Sequence, residues 1–150
     1  MNYLVITDSF SPKINSGAII MGDLVDELLK RGNRVTVITF SEGIKQNYLS
    51  EEKGNLTTHR IRVADRTKSR INRAFIERSY SSKIISTLSD LNNRQFDRII
   101  CYSPSIFFGK ALNWLKKISD TKIYLIIRDI FPRWAVDAGL LKKGLVYYYF

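Results

Sequence analysis

The residues best placed for chemistry cluster where apolar runs end. Leu125 to Ile127 closes one such run, and Arg128-Asp129 follows, then Pro132 and Arg133. A carboxylate held at the end of a rigid strand can accept a hydrogen bond from a hydroxyl, or act as a base if its pKa is raised. The flanking Arg128 and Arg133 favour its charged form instead, and either guanidinium can grip a phosphate bidentately. The alternative for Asp129 is a surface ion pair with one of these arginines, worth about 0–1 kcal/mol. Further polar sets follow other apolar runs: Asp8-Ser9-Phe10, Ser41-Glu42 and Ser103-Pro104-Ser105. The first set opens "DSFSPKINSGAIIMGD", in which Asn15 or Ser16 can cap a helix starting near Ser16-Gly17. Unpaired N–H groups at that start would suit a phosphate, and Gly17 would let it approach the backbone closely.

Several familiar chemistries are excluded. Gly17 and Gly22 have P-loop spacing, but Asp23 stands where that motif needs lysine. The dinucleotide fingerprint GxGxxG is absent, and the stretch from Asp8 to Gly17 is too long for its tight turn. Glu42 could still hold a ribose, so a nucleotide-cofactor domain using NAD or flavin stays as an alternative. His59 and Cys101 are the only histidine and cysteine and fall on different predicted strands, so no metal site or Ser–His–Asp set assembles. A phospho-acceptor receiver would need a lysine after the last strand, where Arg128 stands.

The elements that must position these residues alternate. "YLVIT" predicts a buried strand; Met21, Leu24, Val25, Leu28 and Leu29 then recur at helical spacing, stopped by Gly32. "RVTVITF" is the next strand, Leu56 to Val63 a more exposed third, and Asn47 to Asn55 a flexible loop before it. Apolar residues from Ile71 to Leu91 predict a helix, "FDRIICYS" a fourth strand, "SIFFGKALNWLKK" a helix, "KIYLII" a buried fifth strand and "RWAVDAGLL" a short helix. This order predicts an α/β, Rossmann-like three-layer domain with a mostly parallel sheet, residues 1–150 forming one domain. In such sheets ligands bind beyond the carboxyl ends of the strands, where strand order reverses. The polar sets named above would then share one edge.

Composition is that of a soluble globular domain, at 45% hydrophobic and 25% charged residues. No apolar run approaches the roughly 18–20 residues that span a bilayer. The N-terminus lacks the basic region and cleavage site of a secretory signal, and the lone cysteine suits a reducing cytosol, so the chain reads as cytoplasmic. Net charge is +10, and Arg60 to Lys83 holds eight bases against two acids. Such a patch attracts polyanions. A non-catalytic nucleic-acid-binding domain is therefore a second alternative, but it needs aromatics free to stack. Phe75 and Tyr80 sit on the apolar helix stripe, so no nucleic acid is expected. The closing "KKGLVYYYF" carries a run of aromatics with no helix stop, which predicts that the natural chain continues.

Two segments resemble one family. "MNYLVITDSFSPKINSGAIIMGDLVDELLKRGNRVTVIT" resembles the opening of family-4 retaining glycosyltransferases of the GT-B fold: a strand, a proline-containing loop to a glycine, then a helix ending L-x-x-x-G-x-x-V-T-V-I-T. "RDIFPRWAVDAGLL" is similar to that family's R-D-x-x-P-x-x-A-x-x-x-G segment, through Arg128, Asp129, Pro132, Ala135 and Gly139. This variant is that of bacterial surface-polysaccharide enzymes. The resemblance implies the N-terminal, acceptor-side half of a two-domain enzyme; the C-terminal donor-binding domain, with its paired glutamates, has no counterpart in these residues.

What it implies for the site follows residue by residue. Ser16 and Gly17 would meet the donor phosphates, while Asp8, Ser103, Arg128 and Arg133 would line the acceptor site. Asp129 is the catalytic candidate, with positioning of the acceptor favoured over proton abstraction. The partners implied are a nucleotide sugar as co-substrate, a lipid-linked saccharide acceptor and an anionic membrane surface met by Arg60 to Lys83, with no metal or other cofactor. Two departures stand out. Ser16 replaces the first glycine of a Gly-Gly pair, and Arg128 replaces a histidine common in relatives. The isolated chain is expected to be inactive.

Overall fold

The computed structural model describes residues 1–65, 76–91, 95–103, 106–128, 133–139, 142–144 and 147. In chain order the elements are β1 (Asn2–Ile6), α1 (Ser16–Lys30), β2 (Arg34–Ser41), β3 (Tyr48–Lys53), β4 (Leu56–Arg62), α2 (Tyr80–Asp90), β5 (Arg98–Ser103), a 3₁₀ turn (Ile106–Phe108), α3 (Gly109–Ile118), β6 (Lys122–Ile127) and α4 (Arg133–Asp137).

The six strands form one sheet in the order β3-β4-β2-β1-β5-β6, parallel throughout except for β3. Side chains alternate across each strand. Leu4, Ile6, Ile38, Phe40 and Ile61 therefore face one apolar layer with Tyr80, Ile84 and Leu88 of α2 and Leu115 of α3. Val5, Val35, Val37 and Ile100 face the other with Met21 and Val25 of α1. The centre of the first layer is aromatic: Tyr80 stacks on Phe40 at 3.9 Å between ring centroids, with Phe108 about 6 Å from both.

The α1 boundaries show local sequence acting directly. Asn15 is the N-cap, its side-chain oxygen accepting from Ala18 N–H at 2.9 Å. At the other end Gly32 adopts φ +75°, and the N–H groups of Gly32 and Asn33 donate to the carbonyls of Leu29 and Leu28. That is the Schellman pattern, which a side chain at Gly32 would strain.

Two expectations are corrected. Asn47 to Asn55 is no loop: β3 pairs antiparallel with β4 across Gly54-Asn55, with Gly54 at φ +58°. "SEEK" carries no apolar alternation because β3 is an exposed edge strand. Nor is "KIYLII" buried. β6 is the outermost strand, and Tyr124, Leu125 and Ile127 are roughly half exposed. No helix among the described residues is long and apolar enough to cross a membrane.

His59 belongs to this frame. It is buried on β4, its Nδ1 2.7 Å from Ser50 Oγ across the hairpin and the Tyr48 ring edge-on to it. Burial pushes its pKa below the ordinary 6.5, with Glu52 opposing in part. The unfolded chain therefore takes up the proton first as the medium is acidified. Stability should fall as pH drops below about 6.5, flattening once the folded imidazole also titrates. Urea midpoints measured between about pH 7 and pH 5 should show this slope, and His59→Gln should flatten it.

Candidate functional site

Strand order reverses between β1 and β5, since α1 carries the chain to β2 on one side of β1 while β5 lies on the other. The site is built at the carboxyl ends of these two strands. After β1, Thr7 Oγ1 donates to the Ser9 carbonyl at 2.9 Å and accepts from Ser9 N–H at 3.2 Å, turning the chain sharply. Ser9 Oγ is hydrogen-bonded to the Asn15 amide at 2.7–2.9 Å, and Phe10 is buried against α1. The loop is thus cinched at both ends, fixing where α1 starts. Lys13 is drawn inward: its ammonium donates to the Phe40 carbonyl at 3.2 Å and to that of Asp8 at 3.5 Å.

Gly17 lies directly against Tyr102 of β5. A Cβ on Gly17 would stand 3.3 Å from Tyr102 Cε1 and 3.6 Å from its hydroxyl, so glycine is what permits this approach. Arg128, just past β6, reaches back across the edge. Its Nη1 donates to Ser16 Oγ at 2.7 Å and to the Tyr102 hydroxyl at 3.5 Å. The start of α1, the end of β5 and the end of β6 therefore meet in one cluster: Ser16, Gly17, Tyr102 and Arg128. It offers a guanidinium, two hydroxyls and the first N–H groups of a 15-residue helix. All of these suit an anion.

Of the residues singled out in sequence, Ser16, Gly17 and Arg128 are brought together. Asp8 lies at the end of the neighbouring β1, close enough for its carboxylate to act on Cys101. The Ser103 backbone ends β5, paired with Ile127. Asp129 and Pro132 lie outside the described residues. Arg133 sits in α4 beside Asp137, 4.0 Å away, both largely exposed. Glu42, the ribose candidate, follows β2 on the surface. Tyr102 and Lys13 were missed, Tyr102 because it reads as one more apolar strand residue and Lys13 because nothing in a proline loop marks which way it turns.

Cys101 is fully buried, and burial, reinforced by the Asp8 carboxylate, pushes its thiol up to about 12, so it holds no thiolate at neutral pH. No cluster of three potential metal ligands occurs among the described residues. Tyr80 is wholly buried and cannot stack on a base; Phe75 lies outside the described residues. In the basic stretch, Arg66, Lys68, Arg70 and Arg73 also lie outside them. Arg60 pairs with Glu51 at 2.9 Å, Arg62 donates to the Lys45 carbonyl and Lys83 to that of Arg62.

No known family model matches the sequence, and no curated protein matches it. Among solved structures the chain is similar to a trehalose-6-phosphate structure from E. coli bound with UDP-2-fluoro glucose, at 12% identity and a TM-score of 0.53. The match covers 88% of this chain and 34% of that one. At that identity the likeness is one of fold: a Rossmann-like α/β domain with the architecture of one half of a GT-B fold.

Proposed function

We propose that the chain is the acceptor-side half of a family-4 retaining glycosyltransferase, moving a sugar from a nucleotide sugar to a lipid-linked saccharide in surface-polysaccharide synthesis. The observation that carries this reading is the meeting of Ser16, Gly17, Tyr102 and Arg128 at the switch point of a GT-B-type sheet. In this reading the helix start and Ser16 face the donor diphosphate, whose oxygens gather charge as the glycosidic bond breaks. Arg128 balances that charge. Asp129 orients the acceptor hydroxyl, with Asp8, Ser103 and Arg133 bordering its path. A donor-binding domain contributed by the rest of a longer protein closes over this edge, and the basic residues between Arg60 and Lys83 hold the enzyme on the cytoplasmic face of an anionic membrane, those that reach the lipid adding about 1 kcal/mol each.

The test uses the full-length protein with a panel of radiolabelled nucleotide sugars and a membrane lipid extract. Label should move into the organic phase from one donor, while the 150-residue chain alone transfers none. A folded full-length protein that neither transfers nor hydrolyses any donor would sink the proposal.

A further inference from the structure

A concavity lies on the edge of the sheet opposite the switch-point cluster, at the amino ends of the strands. It is a cavity of about 400 Å³, within the roughly 300–1,000 Å³ range of small-molecule sites. β1 contributes Asn2, β2 contributes Arg34 and Thr36, the β3–β4 turn Asn55, β4 Thr57, and the segment before β5 Gln95, with Phe96 as its apolar wall. Thr36 and Thr57 are direct neighbours in the β2–β4 register. On the same face the next rungs are Ile38 beside His59 and Phe40 beside Ile61, so the lining turns from apolar to hydroxyl at this rim.

Two further features point to a ligand. Among the described residues these six polar side chains, four exposed and the two threonines half-buried, make no hydrogen bond to another protein group, whereas Asn15 and Asn33 elsewhere are committed to capping α1. The frame behind them is nonetheless fixed by main-chain bonds. Arg34 N–H donates to the Met1 carbonyl, Val35 N–H to that of Asn55, and Asp97 N–H to that of Asn2, all at 2.8–2.9 Å. The Asp97 carboxylate in turn accepts from Asn2 N–H at 2.7 Å. Rigid walls thus carry three amides, two hydroxyls and one guanidinium, and no acid lines the cavity.

We propose that this cavity is an accessory site for a monosaccharide bearing one anionic group. The amides and threonines match the alternating donors and acceptors of a polyhydroxylated ring, and Arg34 matches a phosphate or carboxylate on it. The site is separate from the switch-point cluster and does not depend on the chain being a transferase.

Amide-resolved NMR titration of the chain tests it, with glucose 1-phosphate, glucuronate, glucose and inorganic phosphate as probes. Saturable shifts are expected for Val35, Thr36, Asn55 and Thr57 with one or both anionic sugars, and the stronger of the two names the anionic group. Arg34→Gln should weaken that binding at least tenfold and leave the rest of the spectrum in place. Gln95→Ala, which alters no strand, should weaken it less, and should weaken glucose in the same proportion. The proposal is overturned if neither anionic sugar gives saturable shifts, if the shifts map to Ser16 and Gly17 instead, or if inorganic phosphate alone binds as tightly as the sugars.

Discussion

Arg128→Ala in the longer protein is expected, on the proposed transferase function, to lower kcat/KM for sugar transfer by roughly ten- to a hundredfold, the loss of about 1.5–3 kcal/mol that accompanies removal of a charged hydrogen-bond donor. The guanidinium already lies across the start of α1, held by Ser16 Oγ at 2.7 Å, so little ordering remains when an anion arrives. Arg128→Lys should recover only part of the loss, because an ammonium cannot span Ser16, Tyr102 and a phosphate oxygen at once. Ser16→Ala loosens the guanidinium without removing its charge and should cost less. The double variant should fall short of the sum of the two, since both act through one contact. Activity of Arg128→Ala within twofold of the parent would remove Arg128 from the site.

Tyr80→Ala is expected to be the most destabilising core truncation of those described. Its ring is fully buried against Phe40, with Phe108 beside both, tying α2 to the sheet and to the turn before α3. Phe/Trp→Ala changes at such sites cost about 3–5 kcal/mol, against about 5–15 kcal/mol for a whole domain. Chemical denaturation should show a lower midpoint with an unchanged m-value. Tyr80→Phe keeps the ring and should lose only about 1 kcal/mol, the worth of an ordinary hydrogen bond. A Tyr80→Ala loss below about 1 kcal/mol would mean that the stack does not organise this layer.

Whatever depends on near neighbours was legible in sequence. Asn15 and Gly32 mark the ends of α1 because capping and left-handed turns are one-residue chemistry. β1 and β2 announce themselves as apolar runs because both faces of a parallel strand are covered. That the sets after the strands should gather at one edge needed only the direction of parallel strands; that Arg128 meets Ser16 there is a finding of the structure. What sequence did not show depends on partners far along the chain. The Arg128–Ser16 bond spans 112 positions, and nothing local says that a tyrosine on β5 will be the floor beneath Gly17. The β3 strand was hidden for a different reason. Its pairing rests on backbone groups and on the polar contacts of Ser50 with His59 and Glu51 with Arg60, none of which leaves an apolar alternation to read. β6 misled in the opposite sense: apolar residues imply burial only where something lies over them.

That last point governs how the chain behaves in a tube. β6 presents an outer strand whose exposed side chains are tyrosine, leucine and isoleucine, a natural template for another chain to pair with. Lys122 and Arg128 stand at its two ends, the usual gatekeeper arrangement. The larger safeguard is the net charge of +10, which makes two copies repel before their edges meet. Salt shortens the reach of that repulsion from about 30 Å at 0.01 M to about 8 Å at physiological strength. The repulsion between two copies of this chain therefore reaches furthest in buffers of low ionic strength.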